Sequence, residues 1–460
     1  MCYQKSFFFF LIILIGSACQ NETTSSTTEV ASGEAGEVAA GEQNAGEIAA
    51  GEQNAGEVAA GEQSAGELSS GEQSPSELEV QLGDFELWQS PIELYITEAS
   101  EALGPEIDRS IHDLFVFNDR LHLGYGDANL NAGGASPIQL LSFDTPESEL
   151  TIDLLETGEE GIYRYRLIDG ELMIAGTDST DADELTSRPL IEGNFLRTRN
   201  GQWEKHRSIQ GGEHVHDVTR FMEGLWAVGS GADNRTEWDT RGVYRYLWFS
   251  DDGGVSWRRY KRILREVPGD TRFVNLIAVG PRLFIFGYLN PSDGPITPAN
   301  EIILGATGEP TPLVTGLEDG QSPETAHPLA NVFIENTYPI TSDFGLISGF
   351  DFDERRWRVW SINAEGQITK LIRFGENRLV DFSVNTEDGS LTALFNTDNE
   401  SQSSEMIVMY GKNLDELQDK QRLNFEPDQR PMSIAQWGNS LYLGRANGQI
   451  WRAQLTMSQE

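Results

Sequence analysis

Polar clusters break the apolar runs of this 460-residue chain at His112-Asp113, His214 and His216-Asp217, and four of its six histidines lie in or beside such runs. An imidazole next to a carboxylate can bind a transition metal or work as an acid and base. The same groups can instead hydrogen-bond neighbouring strands and fix a scaffold, and the sequence leaves both readings open. Two further runs end at Gly126-Asp127 and Thr177-Asp178. After the first of these, Asp127, Asn129 and Asn131 alternate as hard oxygen donors that suit Ca²⁺. Asx-rich loops also form without metal, and no other cofactor is implied. No Walker-type, G-x-S-x-G or HExxH stretch occurs.

The elements that must hold these residues repeat. Ile111 to Asp127, Ile162 to Asp178 and His214 to Gly231 each read as an apolar run, a polar turn and a second apolar run that breaks at Gly. The residue after the turn gives a series Leu121, Leu172, Leu225, Leu283, Leu346, Leu391 and Leu441, with steps of 51, 53, 58, 63, 45 and 50 residues. Several strands per period at that length are the mark of propeller blades. The expected fold is all-β: a seven-bladed β-propeller of four-stranded antiparallel blades. The third period places its strands at His216–Phe221, Leu225–Ser230, Tyr244–Phe249 and Trp257–Ile263. No segment of useful length has helical period, though Leu414 to Lys420 has room for a turn or two. The last period is one strand short, and Phe85 to Thr97 is expected to supply it and close the ring.

In this layout the starts of inner strands and the ends of second strands share one face. His112, Asp113, Asp127, Asn129, Asp178, His214, His216 and Asp217 fall there and form the candidate ligand-binding set. The loops on that face are long in periods one to four and short in five and seven, so one side is built up as a wall. The stretch GYGDANLNAGG from Gly124, with HVHD later, resembles a pattern recurring in uncharacterised exported propellers.

Between the third and fourth strands of the third period lies SDDGGVSW, with Ser250, Asp252, Gly254 and Trp257 in the pattern S-x-D-x-G-x-x-W. Hydroxyl and carboxylate can take turn N–H groups, Gly permits the bend, and Trp packs beneath it. Degenerate versions, TRNGQW from Thr198 and ANGQIW from Ala446, are expected at corresponding places in their periods. The motif resembles that of the Asp-box (BNR-type) propellers, the superfamily of sialidases and sortilin-like receptors. That resemblance implies a fold, with the boxes on the rim away from any active site. The Arg-Ile-Pro signature of sialidases is missing here.

Residues 1–19 read as an export signal, with Lys5, an apolar run over Phe7 to Ile15, and Gly16-Ser17-Ala18 before Cys19. LIGSAC resembles a bacterial lipoprotein signal, which makes Cys19 the lipidated residue. Cys2 is the only other cysteine, so nothing past residue 19 can form a disulfide. Residues 20–82 are expected to be a disordered acidic spacer carrying a ten-residue Gly/Glu/Ala repeat, and 83–460 the propeller. Beyond Val80, 60 acidic residues face 32 basic ones. A net of −28 argues against nucleic-acid partners. The expected protein is an exported, membrane-anchored lipoprotein of the outer membrane or cell surface, binding a glycan or protein ligand. The alternative is a glycoside hydrolase of sialidase-like fold.

Overall fold

The computed structural model describes residues 79–92, 110–126, 138–177, 190–234, 236–237, 243–263, 269–291, 295–305, 308–313, 327–397, 404–426 and 429–458. These form seven antiparallel sheets, each built around four strands that follow one another outward from a central axis. The innermost strands are Ile111–Phe117, Arg166–Ile168, His214–Phe221, Gly269–Val279, Val332–Thr341, Arg378–Val384 and Pro431–Trp437, here blades one to seven. Second strands such as Gly224–Gly231 are buried at every position. They sit mid-blade between two neighbouring blades, which is why their sequence is apolar without alternation. The core is correspondingly split into clusters along the blade seams. Phe195, Tyr246, Trp248 and Trp257 fill the seam of blades two and three, and Phe284, Phe286 and Trp360 that of four and five. Each such side chain contributes about 1.5–3 kcal/mol through burial.

The ring closes with a strand from the N-terminal side, but in two pieces and earlier than the sequence suggested. Glu79–Leu82 pairs with Leu455 to Ser458, and Glu86–Gln89 with Ile450 to Arg452, both on the third strand of blade seven. Glu79–Leu82, inside the stretch read as spacer, is therefore part of the last blade. Val80 and Leu82 supply the reason, since both pack against the cluster under blade seven beside Phe85. Residues 93–97 of the expected closing strand lie outside the described residues, as do the export signal, Cys19 and the repeat.

The third blade follows the expected strands to within two residues at every end. Its Asp-box turn is a closed hydrogen-bond set. Ser250 Oγ accepts the Gly254 N–H at 2.8 Å, and Asp252 Oδ1 accepts from Ser250 Oγ at 2.8 Å and from the Ser256 N–H at 2.9 Å. Trp257 Nε1 donates to Gly254 O at 3.1 Å. Gly254 has φ 90, and a Cβ there would lie 2.1 Å from the Phe195 ring of blade two. The turn thus latches two blades together. Burial pushes the Asp252 carboxyl up, but the bonds from Ser256 and Ser250 together outweigh it and hold the group down at about 2. Asp252→Ala is expected to cost about 1 kcal/mol, the low end for a charged acceptor because the side chain is exposed. Thermal melting checks this, and ligand binding should not change.

Two expectations are corrected. ANGQIW spans the second and third strands of blade seven, Ser440–Arg445 and Ile450–Ser458, and so turns at the opposite edge from the Asp-box. Its Asn447 accepts only the Gln449 N–H, at 3.3 Å. Residues 414–420 make no helix: Asn413 Oδ1 caps a turn by accepting the Asp415 and Glu416 N–H groups, and the chain enters the strand Gln418–Phe425.

Candidate functional site

Six inner strands carry a β-bulge at the same place, after Ile111, Val215, Phe273, Ile334, Leu379 and Pro431. A bulge places an extra residue on one strand and re-aims its side chain. Here it turns two successive side chains per blade toward the axis. The inner of the two reads Asp113, Asp217, Asn275, Asn336, Asp381 and Ser433. Arg164 holds this place in blade two, five residues before its hairpin turn, as Asp113, Asp217, Asn275 and Ser433 are before theirs.

All but one of these seven bind the backbone of the next inner strand. Asp113 accepts the Tyr165 N–H at 2.6 Å, Asp217 the Leu276 N–H at 2.8 Å, and Asp381 the Ile434 N–H at 2.7 Å. Asn275 donates to Ile334 O at 3.2 Å, Asn336 to Val380 O at 3.4 Å, and Ser433 to Ile111 O at 2.8 Å. The last bond crosses the closure between blades seven and one. Asp113 and Asp217, both candidate ligand residues by sequence, are therefore in the first place latches between blades.

Arg164 breaks the pattern and reaches across the axis. Its Nη1 donates to Asn275 Oδ1 at 2.9 Å and its Nη2 to Asn336 Oδ1 at 2.6 Å. One layer deeper, Arg166 makes a two-pronged bond to Asp217, Nε–Oδ1 at 2.9 Å and Nη2–Oδ2 at 2.7 Å, and donates to Thr337 O at 3.0 Å. Asp217 is 1% exposed and Arg166 9%, while Arg164 keeps 22% of its side chain accessible. Two arginines from one blade thus tie blades three, four and five together across the channel. Arg164 is the more accessible of the two. Burial pushes the Asp113 and Asp381 carboxyls up, and the Asp113 charge pushes Asp381 further.

The outer residue of each pair forms a ring at this end of the channel. In blade order these are His112, Tyr163, His216, Val274, Glu335, Val380 and Met432, every one partly exposed. Blades one to three present an aromatic and polar arc, and blades six and seven an aliphatic one. His112 lies on Tyr163 with ring centroids 4.5 Å apart, and its Nε2 is 3.2 Å from Gly126 O. Glu335 is held by the Arg378 guanidinium, Nε–Oε2 at 2.8 Å. His214 is buried, with its ring centroid 6.1 Å from that of His216.

Burial first, and then the Arg272 charge, push both imidazoles down, His216 to about 3. Neither titrates near neutrality, so the loss of binding at pH 6–7 that free histidines would give is not expected. The pH effect moves to stability. The unfolded chain takes up protons below the ordinary value of 6.5 while folded His216 does not, so its contribution is lost as pH falls from 6.5 toward 3. Relative to His216→Gln, the wild type should lose about 1 kcal/mol between pH 7.5 and 5.5. Melting curves across that range check it.

Of the wall, the part in blade three is best defined. Asp233 and Glu237, after the second strand, are clamped by outer-strand cations: Arg259 to Asp233 at 2.7 Å and Arg262 to Asp233 at 3.4 Å. Tyr244 donates to Glu237 at 2.7 Å, and Arg262 stacks 3.6 Å from the Tyr244 ring centre. Asp127, Asn129, Asn131 and Asp178 lie outside the described residues, so the proposed Ca²⁺ donors do too. Among the described residues no three His, Cys, Asp or Glu side chains gather as a metal would require.

Sequence reasoning missed Arg164, Arg166, Tyr163, Asn275, Asn336 and Asp381. Aligning the periods on their turns would have found most of them, because one column then reads Asp, Arg, Asp, Asn, Asn, Asp, Ser within otherwise apolar runs.

Pairing and order define the class of protein: a seven-bladed β-propeller whose ring is completed by an N-terminal strand. No protein-family model and no curated protein matches the chain. Among solved structures it is similar to the β-propeller domain of the Trilobed protease from Pyrococcus furiosus, at 6% identity and a TM-score of 0.43, over 77% of this chain and 98% of that one. It is also similar to Drosophila Semaphorin 1a, extracellular domains 1-2, at 10% identity, TM-score 0.38, over 76% and 88%. A third is the alpha-L-arabinanase of Penicillium chrysogenum, at 11% identity, TM-score 0.34, over 64% and 92%. Likenesses of this order carry no statement about ligand or activity.

Proposed function

We propose that this propeller is a binding module whose glycan or protein ligand sits in the channel mouth, displayed from a bacterial envelope through a lipid on Cys19 and an acidic spacer. The observation that supports the binding reading is the ring of partly exposed side chains at this end of the channel. The ring is polar and aromatic on blades one to three and aliphatic on six and seven, and Arg164 and Arg166 reach across the axis beneath it. Such a surface can stack a sugar ring or seat a side chain while polar groups set its orientation.

The alternative, a glycoside hydrolase, has one observation in its favour: Asp381 is pushed up, as a general acid requires. Against it, Asp381 Oδ1 already accepts the Phe382 N–H at 2.8 Å and Oδ2 the Ile434 N–H. A carboxylate occupied in this way is a poor nucleophile or proton donor. The binding reading is favoured for that reason.

A glycan and peptide array, followed by titration of the best hit against His112→Ala, Tyr163→Ala and His216→Ala, tests it. Each variant is expected to weaken binding about tenfold, or about 1.4 kcal/mol. Unchanged affinity in all three, or turnover of a chromogenic glycoside lost in Asp381→Asn, would reverse the preference.

A further inference from the structure

We propose that the outer edge of blade one docks an extended segment of another protein, aliphatic and basic at alternate positions, which joins the sheet as a further strand beside Leu150–Leu154. This surface is separate from the channel end, and the proposal stands whether or not a ligand sits there.

An outer strand leaves a row of backbone N–H and C=O groups open. Proteins ordinarily blunt such an edge with lysines, prolines, short strands or breaks. Six of the seven outer strands here do so. Gln202–Gln210 carries Lys205 and Arg207, Arg258–Ile263 carries four cations, and Gln418–Phe425 carries Lys420 and Arg422. Thr311–Pro312 is two residues long and ends in proline, and Ile368–Lys370 is three long and ends in lysine. The closing strand of blade seven is broken between Leu82 and Glu86. Leu150–Leu154 reads LTIDL and has none of these guards. It ends the order of its sheet, and no other described strand pairs with it. Its one irregularity is a bulge at Asp153, whose carboxylate turns inward to Arg120 Nη2 at 2.8 Å and is 6% exposed. Leu150 to Ile152 remain in regular pairing.

The edge is also apolar. Ile152 is 44% exposed, and Leu155, just past the strand, 59%. The other exposed large apolar side chains among the described residues fall singly, as on any surface. Leu150 and Ile152 pair with Phe143 and Leu141, which pack in the cluster that Trp88 joins. A strand laid alongside would set its own aliphatic side chains next to Leu150 and Ile152 and extend that row.

Charge selects the partner. No Lys or Arg occurs from Leu121 to Tyr163, and the exposed Glu147, Glu149 and Glu156 bracket the strand. Arg120, which reaches the strand, is taken by Asp144 and Asp153. Lys or Arg at alternate positions of an incoming strand would meet these acids. A second copy of this chain would instead bring the same acids together, in a protein of net charge −40. In strand addition of this kind main-chain bonds give affinity and the flanking side chains give specificity.

The probe is a capped peptide of alternating Val and Lys, titrated by calorimetry into the full chain at about 0.15 M salt, where long-range attraction is screened. Saturable binding is expected, with hydrogen-exchange protection at Leu150 to Leu154. Ile152→Lys, which supplies the missing guard, should weaken it about tenfold or more, and so should Glu149→Lys combined with Glu156→Lys. The same peptide with alternate amides N-methylated keeps its charge but cannot pair, and should also bind at least about tenfold more weakly. That arm uses the wild-type chain and needs no variant to fold.

No saturable binding, equal binding of the methylated peptide or of a Val and Glu peptide, or protection only outside Leu150 to Leu154 overturns the proposal. Self-association of the chain that Ile152→Lys abolishes would assign the edge to a second copy and overturn the partner named here.

Discussion

Asp217→Ala is expected to lower the stability of the propeller by about 3–5 kcal/mol, the usual cost of stripping one partner from a buried ion pair. The substitution leaves the Arg166 guanidinium without its two-pronged acceptor, and strands the Val218 and Leu276 N–H groups that Asp217 also takes, at 2.9 and 2.8 Å. Because Arg166 also donates to Thr337 of blade five, the loss loosens three blades at once. Melting of the variant measures it. The double variant Asp217→Leu with Arg166→Met should recover much of the loss, since no buried charge then remains unpaired. Wild-type melting in Asp217→Ala, with binding abolished, would instead return Asp217 to the ligand set that its sequence neighbourhood suggested.

The second large effect concerns closure. Compared with a chain beginning at Glu79, one beginning at Ser90 is expected to melt far lower or fail to fold. It loses both pieces of the closing strand, and with them Phe85 in the seventh blade's cluster. It also loses Trp88, whose ring centroid lies 4.7 Å from Phe143 and 5.0 Å from Tyr442, bridging blades one and seven. Removing a buried aromatic such as Phe85 costs about 3–5 kcal/mol, and the half-buried Trp88 and the lost strand pairing add to it, which is a large share of the stability of an ordinary domain. Ser433 would still bond Ile111 O, but one hydrogen bond cannot replace an outer strand. Cooperative melting within a few degrees of the longer chain would show that the inner latches close the ring unaided.

The blades were legible because each is a local hairpin stack whose turns and apolar runs are contiguous in sequence. Leu121 to Leu441 could be counted without knowing any contact between distant segments. The closing strand was found but misplaced, since Glu79–Leu82 looks like the acidic spacer around it and owes its strand to pairing with residues some 375 positions away. The site was half legible. His112 and His216 proved equivalent, as repeat logic required, and both rim the mouth. Arg164 and Arg166 were overlooked because RYR in the second period reads as an ordinary polar break, and only closure of the ring brings it against Asn275, Asn336 and Asp217. In the same way the basic run of Arg258 to Arg262 gained meaning only when Asp233 and Glu237 folded back onto it.

The most direct test of the central claim is hydrogen exchange of the full chain with and without the tightest array hit. If the mouth is the binding site, protection should gather at the starts of inner strands and ends of second strands in blades one to three: around Ile111 to Asp113, Tyr163 to Tyr165, His214 to Asp217 and Gly229 to Gly231. Protection confined to the Asp-box rim at Ser250 to Trp257, or to the hairpin turns on the far face such as Asn118-Asp119 and Asp169-Gly170, would contradict the account and leave the ring of His, Tyr and Arg as scaffold.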